Sequence, residues 1–174
     1  GEWEKSAEIL GKAARGLQEA GADFLVICTN TMHKVAPQIQ EQISMPILHI
    51  ADATADALLE EKIGTAALLG TKYTMTQDFY KEKLVQRGIQ VLVPEEEEIE
   101  AVNRVIYEEL CRGIISDESR KQYVKIIENL KEKGAQGVIL GCTEIGLLVK
   151  QEDSPLPVFD TTAIHGYRAA MEAL

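Results

Sequence analysis

Two short stretches carry residues able to move protons: "CTNTMH" at 28–33 and "GCTEIG" at 141–146. Each places a thiol or hydroxyl beside amide and hydroxyl side chains just after an apolar run, where a buried strand should end. They are linked by an internal repeat. "LQEAGADFLVICTN" (17–30) aligns without a gap on "LKEKGAQGVILGCT" (130–143), which sets Gly21 on Gly134 and Thr29 on Cys142. Ligands of open α/β sheets bind at the carboxyl ends of strands. Two facing halves would therefore bring Thr29 and Cys142 to opposite walls of one cleft. Opposed proton carriers suit inversion at a carbon with an acidic proton, one group removing the proton and the other returning it from the far face.

Such transfer needs a pKa within reach of the working pH. A thiol, ordinarily near 8.5, is brought there by positive surroundings or a helix N-terminus. Cys142 lies between a strand and a helical turn, so N–H groups are expected to stabilise its thiolate. Successive strand residues point to opposite faces. Cys28 is thus expected to face the packed sheet, as Gly141 does, which leaves Thr29 for the cleft. A hydroxyl is a far weaker acid than a thiol, so Thr29 suits donating a proton to a carbanion better than abstracting one.

The neighbours have roles of their own. Asn30, Thr31 and Thr143, with nearby N–H groups, could hold an α-carboxylate, and Thr31 and Thr143 are also expected to cap helices. Glu144 could bind an ammonium group, orient Cys142, or simply be solvated. His33 reads as a structural histidine and His49 as a mid-strand core residue. Cys111, on the apolar side of "VIYEELC", should be buried, and Asp160 should cap the last helix.

The elements that must position these residues alternate along the chain. Strands are expected at 23–28, 46–50, 65–70, 90–93, 137–141 and 156–159. Helices are expected near 4–19, 32–43, 52–61, 75–87, 96–112, 118–133 and 162–173. Most strands are continuous apolar runs, as when helices cover both faces of a parallel sheet, which predicts an α/β fold. Thr74-Met75-Thr76-Gln77 has capping-box spacing and should open a helix. The acids Glu95–Glu98 suit a helix N-terminus and need no metal.

Bulk properties narrow the function. The chain has 174 residues, 45% apolar and 26% charged, enough for one large domain or two small lobes. A net charge of -10 argues against nucleic acid or an anionic membrane as partner. Three cysteines without metal spacing point to free thiols in a reducing cytoplasm. No Rossmann fingerprint, P-loop or zinc spacing occurs, and the proton-transfer reading needs no cofactor.

"CTNTMH", "HIADAT", "LLGTKYTM", "GCTEIG" and "FDTTAIH", in this order, resemble the aspartate/glutamate racemase family, which works without pyridoxal phosphate. The likeness is greatest to the branch acting on acidic amino acids, some members of which have broader specificity. It implies two pseudo-symmetric three-layer lobes with mainly parallel sheets and an active site in the cleft between them. Residues 1–62 would be the remainder of the first lobe, 63–160 the second, and 161–174 a helix returning to the first. The family usually begins with a further β-α-β unit, so the chain is expected to start after it.

In the family each lobe usually supplies a catalytic cysteine. Cys142 matches the second, while Thr29 stands where the first is expected. The resemblance thus implies racemisation of L-glutamate or L-aspartate with Cys142 as base toward the L-enantiomer and Thr29 opposite. It further implies a substrate loop of Thr71, Lys72 and Thr74, with Lys72 either meeting a side-chain carboxylate or simply exposed, His165 near the cleft, and a homodimer. The rival readings are a thiol-dependent decarboxylase or isomerase on the same scaffold, and a non-catalytic binding module.

Overall fold

A computed structural model describes residues 1–174. The chain opens with α1 (Trp3–Glu19), β1 (Leu25–Val26), a 3-10 turn (Thr31–Val35), α2 (Ala36–Gln40), β2 (Ile47–Leu48) and α3 (Ile50–Glu60). β3 (Thr65–Gly70), α4 (Lys72–Thr76), α5 (Asp78–Gln86), β4 (Gln90–Leu92) and α6 (Glu96–Glu108) follow. After a 3-10 turn (Leu110–Arg112) come α7 (Asp117–Glu132), β5 (Gly137–Gly141), α8 (Ile145–Leu148), a 3-10 turn (Gln151–Asp153), β6 (Val158–Asp160) and α9 (Thr161–Glu172). The fold is α/β with parallel pairing throughout: a four-stranded sheet ordered β4-β3-β5-β6 and a two-stranded sheet of β1 and β2.

The apolar runs of β3 and β5 are explained by burial on both faces. Ala67, Leu69, Val138 and Leu140 join a core of 20 buried residues with α6, α7 and α8. Their neighbours Ala66, Leu68 and Ile139 point the other way, into a core of 12 residues with α3 and α5. Burying a leucine of this kind contributes roughly 1.5–3 kcal/mol. A third core of nine residues lies between α1, α2 and β1.

The internal repeat is visible in the backbone. α1 and α7 end alike, at Ala20 and Lys133, each with φ -78° and ψ 0°. Gly21 and Gly134 follow at φ 90° and 102°, a region glycine enters without the strain a Cβ brings. Ala22 N–H donates to Leu17 O at 3.1 Å, and Ala135 N–H donates to Leu130 O at 3.0 Å. Each helix therefore stops in a Schellman turn that feeds the strand carrying a polar motif at its end.

Several expectations are corrected. β1 and β2 have two residues each, short of the expected 23–28 and 46–50. Cys28 is exposed, not packed: it lies beyond the end of β1, whose outer edge has no partner strand, in an open groove beside α1. His49 is the N-cap of α3 and accepts from Ala51 N–H at 3.2 Å, so it is not in mid-strand. The helix expected from 75 to 87 is two helices, α4 capped by Thr71 and α5 starting after the extended Gln77. Thr74 is thus interior to α4, not its cap. The acids at 95–98 do open a helix, where Glu95 and Glu98 form a capping box, and Asp160 caps α9 by accepting from Thr162 and Ala163 N–H.

β3 and β5 end in register, Gly70 beside Gly141. The approach there leaves no room for side chains. A Cβ on Gly141 would lie 2.9 Å from Leu68 Cδ1 and 3.0 Å from the Leu69 carbonyl oxygen. Gly141→Ala is therefore expected to destabilise the fold by about 1–3 kcal/mol through overpacking. Urea unfolding measures this, and an unchanged midpoint would contradict it.

Candidate active site

Thr71 and Cys142 are the next residues after those paired glycines, and they open into a cavity of about 170 Å³. Its lining includes Thr29, Asn30 and Thr31 from the loop after β1, Thr71, and Cys142, Thr143 and Glu144. Seven of the residues singled out in the sequence thus converge, with Thr29 and Cys142 in one wall system. Three do not. Lys72 is exposed and paired with Glu100, and its backbone N–H donates to Asn103 Oδ1 at 2.8 Å. Thr74 is fully buried with its hydroxyl 3.1 Å from that of Thr71. His165 Nε2 lies 2.7 Å from the Leu48 carbonyl oxygen, outside the lining.

Cys142 belongs to the larger core, and only 8% of its surface is exposed. Its thiol donates to Glu144 Oε2 at 2.9 Å, and the Thr143 hydroxyl donates to the same oxygen at 2.7 Å. Burial first, and then the adjacent carboxylate, push the thiol up to about 12. Cys142 therefore rests as a protonated thiol, and the expected thiolate stabilisation is reversed. α8 has only four residues, and the Glu144 N–H is outweighed by the loss of water and the nearby negative charge. Burial works against the Glu144 carboxylate, but the hydrogen bonds from Cys142 and Thr143 outweigh it and hold this group below its ordinary value.

Thr31 and Thr143 do not cap helices: Asn30 and Glu144 occupy the cap positions, without side-chain cap bonds. The N–H groups of Asn30, Thr31 and Thr143 donate to no acceptor within the chain, which leaves them available to an anion. Asn30 is 3% exposed, and its Nδ2 donates to Thr161 Oγ1 at 3.1 Å. Its Oδ1 is the one buried side-chain polar atom without a partner. An orphan acceptor in a cavity wall fits an ammonium group, whereas the sequence had pointed Asn30 toward a carboxylate.

His33 holds the first motif from behind. Its Nδ1 lies 2.7 Å from the Thr29 carbonyl oxygen, and its Nε2 accepts from Ile50 N–H at 3.2 Å. Nδ1 must then carry the proton and donate, which makes the ring neutral. The rings of His49 and His165 lie 4.4 Å and 5.8 Å away, centroid to centroid.

Sequence reasoning missed Ile106, Tyr107 and Cys111, which also line the cavity. Cys111 is exposed, contrary to expectation. α6 ends at Glu108, and the 3-10 turn after it breaks the 3.6-residue period on which the apolar stripe was drawn. Gly113, left-handed at φ 73°, closes that turn.

Comparison with known proteins gives a consistent result. A family model described as Asp/Glu/hydantoin racemase matches residues 1–169. A crystal structure of a Yersinia pestis protein, provisionally described as an Asp/Glu racemase, is 52% identical with a TM-score of 0.95, over 99% of this chain and 76% of that one. An aspartate racemase homologue from Pyrococcus horikoshii OT3 is 39% identical with a TM-score of 0.90, over the same shares, 99% and 76%. The broad-specificity amino-acid racemase RacX of Bacillus subtilis is 26% identical over 151 residues, 84% of this chain. The chain spans 63% of the length of that curated relative. No helix is long and apolar enough to cross a membrane.

Proposed function

Because the chain belongs to the Asp/Glu/hydantoin racemase family, we propose that it inverts the α-carbon of aspartate or glutamate by proton transfer, without a cofactor, using Cys142 and Thr29. The observation that carries this reading is the single cavity lined by both residues together with the unpartnered Asn30 Oδ1. In this reading Asn30 Oδ1 accepts from the substrate ammonium, and the free N–H groups of Thr31 and Thr143 hold the α-carboxylate. The Tyr107 hydroxyl, which makes no hydrogen bond within the chain, is the donor this lining offers to a side-chain carboxylate, since Lys72 is turned to Glu100.

The proton path follows from the resting thiol. Cys142 loses its proton to water by way of Glu144 Oε2, to which it is already hydrogen-bonded. The thiolate, favoured by the ammonium now beside it, removes the α-proton of the L-enantiomer. Thr29 donates its hydroxyl proton to the opposite face of the carbanion and recovers one from water. The two-lobed arrangement belongs to the same proposal: the β1–β2 half brings Thr29 to Thr31, the four-stranded half brings Cys142 to Glu144, and substrate lies between.

Incubation with L-aspartate or L-glutamate, followed by circular dichroism of the amino acid, tests racemisation directly. In deuterium oxide, solvent deuterium should enter the α-position of the L-enantiomer faster than that of the D-enantiomer. A thiolate exchanges its face repeatedly, while a hydroxyl is a poor base. Equal wash-in from both enantiomers would overturn the assignment of unlike proton carriers.

A further inference from the structure

We infer that Thr161 is a positioning residue that decides which end of the Asn30 amide is offered to the cavity, and so makes the site select an amine-bearing ligand. This rests on the reading of Asn30 as the ammonium acceptor. Thr161 is the first residue of α9 and is fully buried. Its hydroxyl donates to the Leu140 carbonyl oxygen, two residues before Cys142, at 2.8 Å. A hydroxyl has one proton, and this bond commits it. Toward Asn30, 131 positions away in sequence and 3.1 Å away in space, Thr161 Oγ1 can therefore only accept. The Asn30 amide must present its NH2 to Thr161, which leaves Oδ1 as its unpartnered end.

If the amide turned over, two acceptor oxygens would face each other while the NH2 group met the cavity, and a bound ammonium would be repelled by donors. One buried proton, fixed by a strand carbonyl, thus sets the polarity of a side chain on the other half of the site. A ligand carrying a hydroxyl in place of the ammonium escapes this selection, because a hydroxyl can donate to Oδ1 or accept from NH2.

The test compares dissociation constants of L-aspartate and L-malate, which differ in that one group, for the protein and two variants. Thr161→Val removes the hydroxyl at nearly constant volume and frees the amide to turn. Aspartate should bind about 10- to 100-fold more weakly, as for loss of a hydrogen bond to a charged group, while malate changes by no more than a few-fold. Thr161→Ser keeps the hydroxyl and should restore the preference of the unaltered protein. If the valine variant does not fold, Thr161→Ala carries the same expectation. A purely structural role would weaken both ligands together, and that result overturns the inference, as does an unchanged ratio or an unaltered protein that binds neither ligand. Failure of the racemase reading is seen separately, as an unaltered protein that prefers aspartate in a Thr161-dependent way yet does not racemise it.

Discussion

Replacing Cys142 with alanine is expected to lower kcat/KM for racemisation about 10³-fold or more, the range for losing a positioned acid–base group. The loss must be equal in the two directions, because enantiomers have the same free energy in achiral water and the ratio of the two kcat/KM values is fixed at one. Cys142→Ser should fall nearly as far, since a hydroxyl in the same buried place is a still weaker acid. Cys28→Ser replaces an exposed thiol outside the cavity lining and should leave activity within a few-fold. The pH dependence has a definite sign. With the free thiol held near 12 by burial and Glu144, the thiolate fraction grows tenfold per pH unit across the neutral range, so kcat/KM rises with pH. Racemisation that survives in Cys142→Ala, or a rate that falls as pH rises through neutrality, would place the base elsewhere.

Much of this site was legible because it is written in local chemistry. The matching Schellman turns at Gly21 and Gly134 follow from the paired helix–glycine–strand segments, and those turns aim both motifs at one cavity. Burial of alternate residues of β3 and β5 was equally open to reading, since a strand covered on both faces has to be apolar throughout. What escaped was set by tertiary geometry. Cys28 was expected inside by analogy with Gly141, but the analogy fails because β5 lies between two strands and β1 has only one neighbour. Lys72 seemed a partner for a carboxylate; whether it would find one in a ligand or in Glu100 depends on where α6 lies. The raised pKa of Cys142 needs both the core behind it and the rotamer of Glu144, neither of which its spacing reveals. Thr161 makes the point most sharply. Its hydroxyl joins Leu140 to Asn30, residues that nothing in the sequence connects to it.

Mild acid is expected to weaken the fold through the three histidines. All of them lie in one cluster where α3, α9 and the turn after β1 meet. Burial holds His33 down to about 4 and His49 to about 3 from an ordinary value of 6.5, and burial lowers His165 as well. The rings repel one another's protons, Lys83 adds to this at His49, and Asp52 opposes it weakly at His33. Between pH 6.5 and 4 the unfolded chain therefore binds more protons than the folded one, so stability is fully present above 6.5 and falls as pH drops toward 4. For His33 alone, a displacement from 6.5 to about 4 corresponds to about 3 kcal/mol. A domain of ordinary stability has only about 5–15 kcal/mol in all. Urea unfolding at pH 7.5, 6.5, 5.5 and 4.5 should show this decline. His33→Gln keeps one donor and one acceptor but cannot be protonated, so it should flatten the profile between pH 6.5 and 5, where few carboxylates titrate. A protein equally stable at pH 7.5 and 4.5, or a glutamine variant with an unaltered slope, would mean that His33 takes up its proton without losing the bond from Ile50 N–H. The same protonation reaches the active site, because an imidazolium gives up the hydrogen bond from Ile50 N–H that ties Thr29 to α3.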